Sequence, residues 1–265
     1  MKSPDTRPRD VLWVMGGIAA FGWRSFRSLH PPLVLALTIL PRAVLQSCFF
    51  VLLGRWIGST QQAGFALTGA AVITMPVMCT SCVADVVTAD KWSGTLWRLR
   101  SARVSPTTVM ALRAWPYAVS GWSLSLAAAL IAAPLTGHAG LTRQLLEVAP
   151  LYAVIAVTMT VAGLAVTAVA LGKRADVVLG NLLAYLIILA TGTFLPSSRL
   201  GFLRPLGWVL PGTHGLAAAR ALEAGGPWFG QVAAEAGVGA GWCLVAWVVI
   251  TGQLSRIRRS GHDFS

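Results

Sequence analysis

Six apolar stretches, at 33–54, 65–86, 107–134, 148–171, 177–196 and 230–252, recur along this chain, each long enough to cross a bilayer as a helix. A spanning helix needs about 20 mainly apolar residues to traverse about 30 Å of hydrocarbon. Within lipid its backbone groups must bond to one another, which restricts the fold to helices or a closed barrel. Of 265 residues, 55% are hydrophobic and 11% charged, and the mean hydropathy is +0.69. The longest polar interludes are the first thirty residues and the stretch from Ser197 to Trp228, and neither can bury a core of its own. The expected fold is an all-α membrane protein of one domain, residues 1–265, with six transmembrane helices.

Charge gives that bundle a direction. The net charge is +12, but the 21 Lys and Arg are dispersed among the apolar stretches rather than gathered on one soluble face, so nucleic acid is not an expected partner. With a cytoplasmic amino terminus, the inner side collects residues such as Lys2, Arg7, Arg24, Arg27, Lys91, Arg98, Arg100, Lys173 and Arg256. The outer side holds Arg55, Arg143, Arg199, Arg204 and Arg220. That asymmetry predicts a multi-pass protein of the cell membrane with both termini cytoplasmic.

Ahead of the first span lies a shorter apolar stretch, Val11 to Trp23, about thirteen residues and too short to cross. Trp23-Arg24-Ser25-Phe26-Arg27 is a poor site for signal cleavage. Val11, Val14, Met15, Ile18, Gly22 and Phe26 recur at helical spacing, with Arg24 and Arg27 toward the surface, which predicts an amphipathic interface helix over 10–29. His30-Pro31-Pro32 breaks it, because proline lacks an amide donor and restricts its predecessor.

Catalytic signatures are thin. The chain has no Gly-x-x-x-x-Gly-Lys-Ser/Thr loop for nucleotide phosphates, no His-Glu-x-x-His pair and no Gly-x-Ser-x-Gly elbow. His30, His138, His214 and His262 fall one per segment, so no metal site is expected, and each reads as a surface or helix-end residue. Cys79-Thr80-Ser81-Cys82 has neither a second pair nor a nearby histidine, and reads as packing. Asp85, Glu147, Asp176 and Glu235 fall at different ends of the spans, which disfavours an intramembrane enzyme. Gly237-x-x-x-Gly241 permits close helix approach and reads as packing inside the bundle. Seven of the eleven tryptophans fall near span ends, where the ring anchors at the interface, and Trp115, Trp122, Trp242 and Trp247 read as packing within spans.

Two arginines interrupt apolar sequence. Arg42, about ten residues into the first span, would cost about 2.5–3.5 kcal/mol if left in lipid. It therefore lines a translocation path, snorkels to the headgroups, or pairs with a polar neighbour such as Gln46. Arg113 lies nearer a membrane surface and reads as snorkelling.

The remaining signal is the turn Asp90-Lys91-Trp92-Ser93-Gly94-Thr95-Leu96-Trp97-Arg98-Leu99-Arg100, which continues to Ser105-Pro106. Gly94-Thr95-Leu96 is expected to begin a short amphipathic helix capped by Thr95, with Leu96 and Leu99 on one side and arginines about the others. Such a helix can press its apolar side into a partner's groove. A basic loop held against anionic lipid would explain the arginines but not the Gly-Thr-Leu start.

On Asp90-Lys91, Gly94-Thr95-Leu96 and Ser105-Pro106 the chain resembles permease subunits of type-2 ABC exporters, the branch that includes drug, antibiotic and polysaccharide exporters. It departs from their pattern at Ser93, where an acidic residue often precedes the glycine. A second likeness runs from Gly192-Thr193-Phe194-Leu195-Pro196 through Pro211-Gly212-Thr213-His214 to Arg220. It is similar to the family's short outer re-entrant helices between spans five and six, placing Phe194, Pro196, Pro211 and His214 in that outer segment.

The resemblance implies a division of labour. This chain would bind no cofactor, and ATP and Mg would be used by a separate ABC ATPase present in two copies. A second permease copy would complete a homodimer in membrane lipid. A coupling segment over 90–104 would receive the stroke through Asp90, Lys91, Gly94, Thr95, Leu96, Leu99 and Arg100. The path would include Arg42 and Gln46, and the apolar spans favour a hydrophobic or amphiphilic substrate such as a drug, antibiotic, lipid or glycolipid. The alternative is an ATP-independent carrier or channel, which would need ionisable groups within several spans.

Overall fold

The computed structural model describes residues 8–57, 60–95, 104–172, 176–193 and 204–260. Among them the chain is all helix, with no strand. Helix α1, Pro8–Leu29, is followed by α2, Pro32–Trp56, α3, Gln62–Trp92, and α4, Pro106–Leu135. A short α5, Thr142–Glu147, leads into α6, Ala149–Leu171, and then α7, Asp176–Ala190. Two short helices, α8, Arg204–Val209, and α9, Thr213–Glu223, precede the long α10, Phe229–Ser260. Five helices, α2, α3, α4, α6 and α10, are long and apolar enough to cross a membrane.

The fifth apolar stretch, expected over 177–196, forms only the 15 residues of α7. At about 1.5 Å per residue that is about 22 Å, short of the hydrocarbon thickness. The helix stops because Gly192 takes φ +63°, a left-handed conformation open to glycine that cannot continue the helix. The chain turns there onto α3, where a methyl on Gly69 would run into Thr193.

Proline shapes two of the spans. Pro41 has no amide to give, and just before it Leu35–Ile39 widens into a π turn, the Leu40 amide reaching back to the Leu35 carbonyl. In α3, Pro76 precedes a π turn over Val77–Cys82, and the Thr80 hydroxyl donates to the Pro76 carbonyl at 2.6 Å. That widened turn bulges against three neighbouring helices, each of which meets it with a glycine. A methyl on Gly121 of α4 would overlap Cys79 Sγ, one on Gly163 of α6 would overlap the Cys79 carbonyl, and one on Gly180 of α7 would lie 2.8 Å from the Thr80 carbonyl.

Burial divides the spans. α3 and α6 form the centre, with 78% and 72% of their most apolar stretches buried, against 17% for α2 and 22% for α10. The core has two parts, one toward each end. Leu67, Met75, Tyr152, Ile155 and Leu216 fill the end at which α3 begins. Phe26, Met110, Tyr117, Leu171 and Ile250 fill the end at which it finishes. At the second end α1 lies against α4, its Gly22 so close that a methyl would sit 2.8 Å from Arg113 Cα. Trp115 Nε1 donates to the Ala19 carbonyl at 3.1 Å, and Phe26 meets Tyr117 edge-on at 4.9 Å. Toward its start α1 is uncovered, with Val11, Leu12, Trp13 and Val14 all exposed.

Two packing expectations need correction. Gly237 and Gly241 of α10 do not pack inside the bundle: both are exposed, and a methyl on either would meet nothing within 4 Å. Trp247 is exposed rather than packed. Both follow from how little of α10 this chain covers.

Candidate functional site

The turn after α3 is built by a helix stop. Gly94 takes φ +65°, its amide donates to the Lys91 carbonyl at 3.3 Å, and the Thr95 amide reaches back to Asp90 at 2.9 Å. This pair of back-bonds is a Schellman motif, which satisfies the last carbonyls of a helix and needs a residue tolerant of positive φ. Gly94 thus ends α3. The Thr95 side chain also faces backward, donating to Asp90 Oδ1 at 3.1 Å and lying 2.8 Å from the Ser93 hydroxyl.

Asp90 is the anchor of this turn. Its second carboxylate oxygen accepts from the Arg113 guanidinium. Arg113 is buried, with its guanidinium over the Phe21 ring of α1 at 5.2 Å. The snorkelling reading of Arg113 is therefore replaced by an ion pair, since a buried guanidinium needs a carboxylate and Asp90 supplies it. Asp90, α4 and α1 meet at one point. A second tie lies beside it, where His30 Nε2 is 2.9 Å from Asp85 Oδ2 and Tyr117 OH donates to the same oxygen at 3.5 Å. Lys91 sits 5.8 Å over its neighbour Trp92. Leu96, Leu99 and Arg100 lie outside the described residues, as does the stretch expected to carry the short amphipathic helix.

At the other end α9 is held by buried groups. Glu235 of α10 is fully buried. Its carboxylate accepts from the amides of Gly212 at 2.8 Å and Gly215 at 2.9 Å, and from the Thr158 hydroxyl at 2.6 Å. A carboxylate from a different helix thus caps the amino end of α9, where unpaired amides and the helix dipole favour a negative charge. Pro211 is buried at the same turn, and His214 Nδ1 lies 3.4 Å from Gln231 Oε1. Phe194 and Pro196 lie outside the described residues.

At its far end α9 carries Arg220, which lies 3.3 Å over the Phe65 ring and donates to the carbonyls of Gly192 at 3.3 Å and Thr193 at 3.2 Å. Burial lowers its pKa to about 10, which leaves it charged at neutral pH. Glu223 accepts from the Thr68 hydroxyl at 2.8 Å, and burial raises its pKa.

Arg42 and Gln46 stand together on α2, Arg42 exposed and Gln46 half-buried. No hydrogen bond joins them among the described residues. Arg42 points away from the part of the bundle this chain covers.

The model of the ABC-2 type transporter family matches residues 18–224, from α1 through α9. The chain belongs to that family. It is a transporter permease component, and proteins of this family generally work with an ABC ATPase. No curated protein and no solved structure matches it.

In this ABC-2 protein the sequence brought forward Asp90, Gly94, Pro211 and His214. It missed Arg113 and Glu235 as fixed points of the two ends. Asp85, Glu147, Asp176 and Glu235 read from the sequence as acids at different ends of the spans, yet Glu235 is itself the available signal. An acidic residue in an apolar span needs a partner, and the two amides that supply it are 20 and 23 residues away in sequence.

Proposed function

We propose that this chain is the membrane-spanning subunit of an ATP-driven exporter, moved by a separate ABC ATPase docked at the Gly94 end. The observation that carries the reading is the Asp90–Arg113 pair beneath the Schellman turn. A push on the turn would pass through a buried charged contact into α4 and α1 rather than being lost in a loose loop. The Gly94 end would be cytoplasmic, in keeping with the bias of Lys and Arg toward it. Binding and hydrolysis of ATP by the partner would favour one of two packings of the spans through its different affinity for each. Two ATPase copies and a second permease would complete the assembly.

The exposed face of α2 supports a second copy of this chain there, bringing Arg42 and Gln46 to a shared path instead of leaving a guanidinium in lipid. The substrate would be hydrophobic or amphiphilic, because the spans present Leu, Val, Ala and Gly.

Replacing Leu96 and Leu99 together with Asp tests the docking reading. The double variant is expected to reach the membrane at wild-type level and to fail to retain the ATPase on co-purification. Full retention together with full transport would refute it.

A further inference from the structure

Glu223 is the last residue of α9. It is half-buried and turned onto α3, where both of its carboxylate oxygens lie within reach of the Thr68 hydroxyl, at 2.8 and 3.0 Å. The proposed ATP-driven cycle makes no use of this carboxyl. We propose that Glu223 is a proton-binding site that sets how firmly α9 is held on α3, tighter with the neutral carboxyl and looser with the carboxylate.

Three observations carry this. First, among the described residues the ion pairs lie elsewhere, and no cation pairs with Glu223. Arg220, one turn earlier on α9, spends its guanidinium on the carbonyls of Gly192 at 3.3 Å, Thr193 at 3.2 Å and Phe65 at 3.5 Å. Second, the C-terminal end of a helix is the negative end of its dipole, which disfavours a carboxylate there. Burial works in the same direction and raises the pKa, outweighing the Thr68 bond and the Arg220 charge. Third, Thr68 can serve both forms, because its hydroxyl also lies 3.4 Å from the Gly64 carbonyl. Toward the carboxylate the hydroxyl donates. When a proton from water binds one carboxyl oxygen, that O–H donates to Thr68 Oγ1, and the Thr68 hydrogen turns to Gly64. Neither form leaves a hydrogen without an acceptor, and no bond between heavy atoms changes.

The other titratable groups packed on α9 are committed elsewhere. The Tyr152 hydroxyl of α6 donates to the Thr68 carbonyl at 3.1 Å. Glu235 of α10 caps the opposite end of α9, where His214 lies against Gln231. Lifting α9 off α3 would place Glu223 in water, where it ionises freely. A carboxyl whose pKa is raised in the held state gives a hold that is complete in acid and is lost as pH rises through that raised value. Which compartment supplies the proton rests on the proposed orientation, which places this end outside; the binding itself does not.

The test uses the full chain in detergent, where both ends meet one pH. Infrared difference spectra over a pH series follow the carbonyl stretch of a protonated carboxylic acid, and Glu223→Gln assigns the band by removing it. The Glu223 band is expected to persist above the range of an ordinary glutamate, about pH 4.3. Over the interval in which it fades, hydrogen exchange corrected for its intrinsic pH dependence should show the last turns of α9 losing protection. The loss should reach at most about tenfold per pH unit, the limit for one linked proton. Glu223→Gln, which keeps the hydrogen bonds of the neutral form, should show no such loss. Thr68→Val removes a donor that favours the carboxylate, so the midpoint of the band should move upward, and that movement identifies Glu223 should the glutamine variant fail to fold. A Glu223 band that disappears in the ordinary glutamate range, α9 protection that falls alike in wild type and Glu223→Gln, or a midpoint unmoved in Thr68→Val would overturn the proposal.

Discussion

Gly94 and the Asp90–Arg113 pair carry the proposed coupling site at the scale of single residues. A side chain at φ +65° costs about 1–2 kcal/mol, so Gly94→Ala should lower thermal stability in detergent by about that amount. Export should fall further than stability does, while Ser93→Ala, one residue earlier and without positive φ, should change little. The ion pair gives a sharper expectation. Arg113→Leu strands the Asp90 carboxylate in a buried place, a loss of about 3–5 kcal/mol. The double change Asp90→Leu with Arg113→Leu should recover more than half of it in thermal unfolding, because a desolvated charge no longer lacks a partner. Equal losses in the single and double variants would show that packing, rather than charge, holds this point. These details were only partly legible in the sequence. Gly94 announces a turn by its type, but that it closes α3 is decided by back-bonds to Lys91 and Asp90. Arg113 looked like a residue bound for water because its partner lies on another helix.

The spans and caps belong to the scale of elements. The spans were the most legible part of the fold, since hydrocarbon accepts little besides a long apolar helix and the pattern is local. What hydropathy did not show is where a helix stops early or swells. α7 ends at Gly192, and α3 widens after Pro76, because of backbone terms that a count of apolar residues does not contain. The hold on α9 is likewise non-local. Glu235→Ala should leave the Gly212 and Gly215 amides unpaired, while the Thr158 hydroxyl keeps the Ile155 carbonyl as acceptor, at a cost of at least about 3 kcal/mol, since bonds to a charged group are each worth about 1.5–3. Glu235→Gln retains one acceptor oxygen and should lose less. Hydrogen exchange is the direct readout, with faster exchange expected at Gly212 and Gly215 in the alanine variant while amides in the middle of α6 stay protected. Uniform loosening would mean that Glu235 supports the bundle as a whole rather than the start of α9.

At the scale of the whole molecule, membership of the ABC-2 family joins a helical array to a division of labour. The two ends are held differently: one presents a turn closed by back-bonds and the Asp90–Arg113 pair, and the other ties α9 down through Glu235 and Arg220. The proposed mechanism asks such a body to receive force from a partner at one end and to change its packing at the other. Co-reconstitution tests this most directly, with export from lipid vesicles followed for a panel of amphiphilic compounds, with and without an ABC ATPase and ATP. The expectation is movement of at least one compound only when the chain, the ATPase and hydrolysable ATP are all present. Movement of the same compound at the same rate by this chain alone would contradict it.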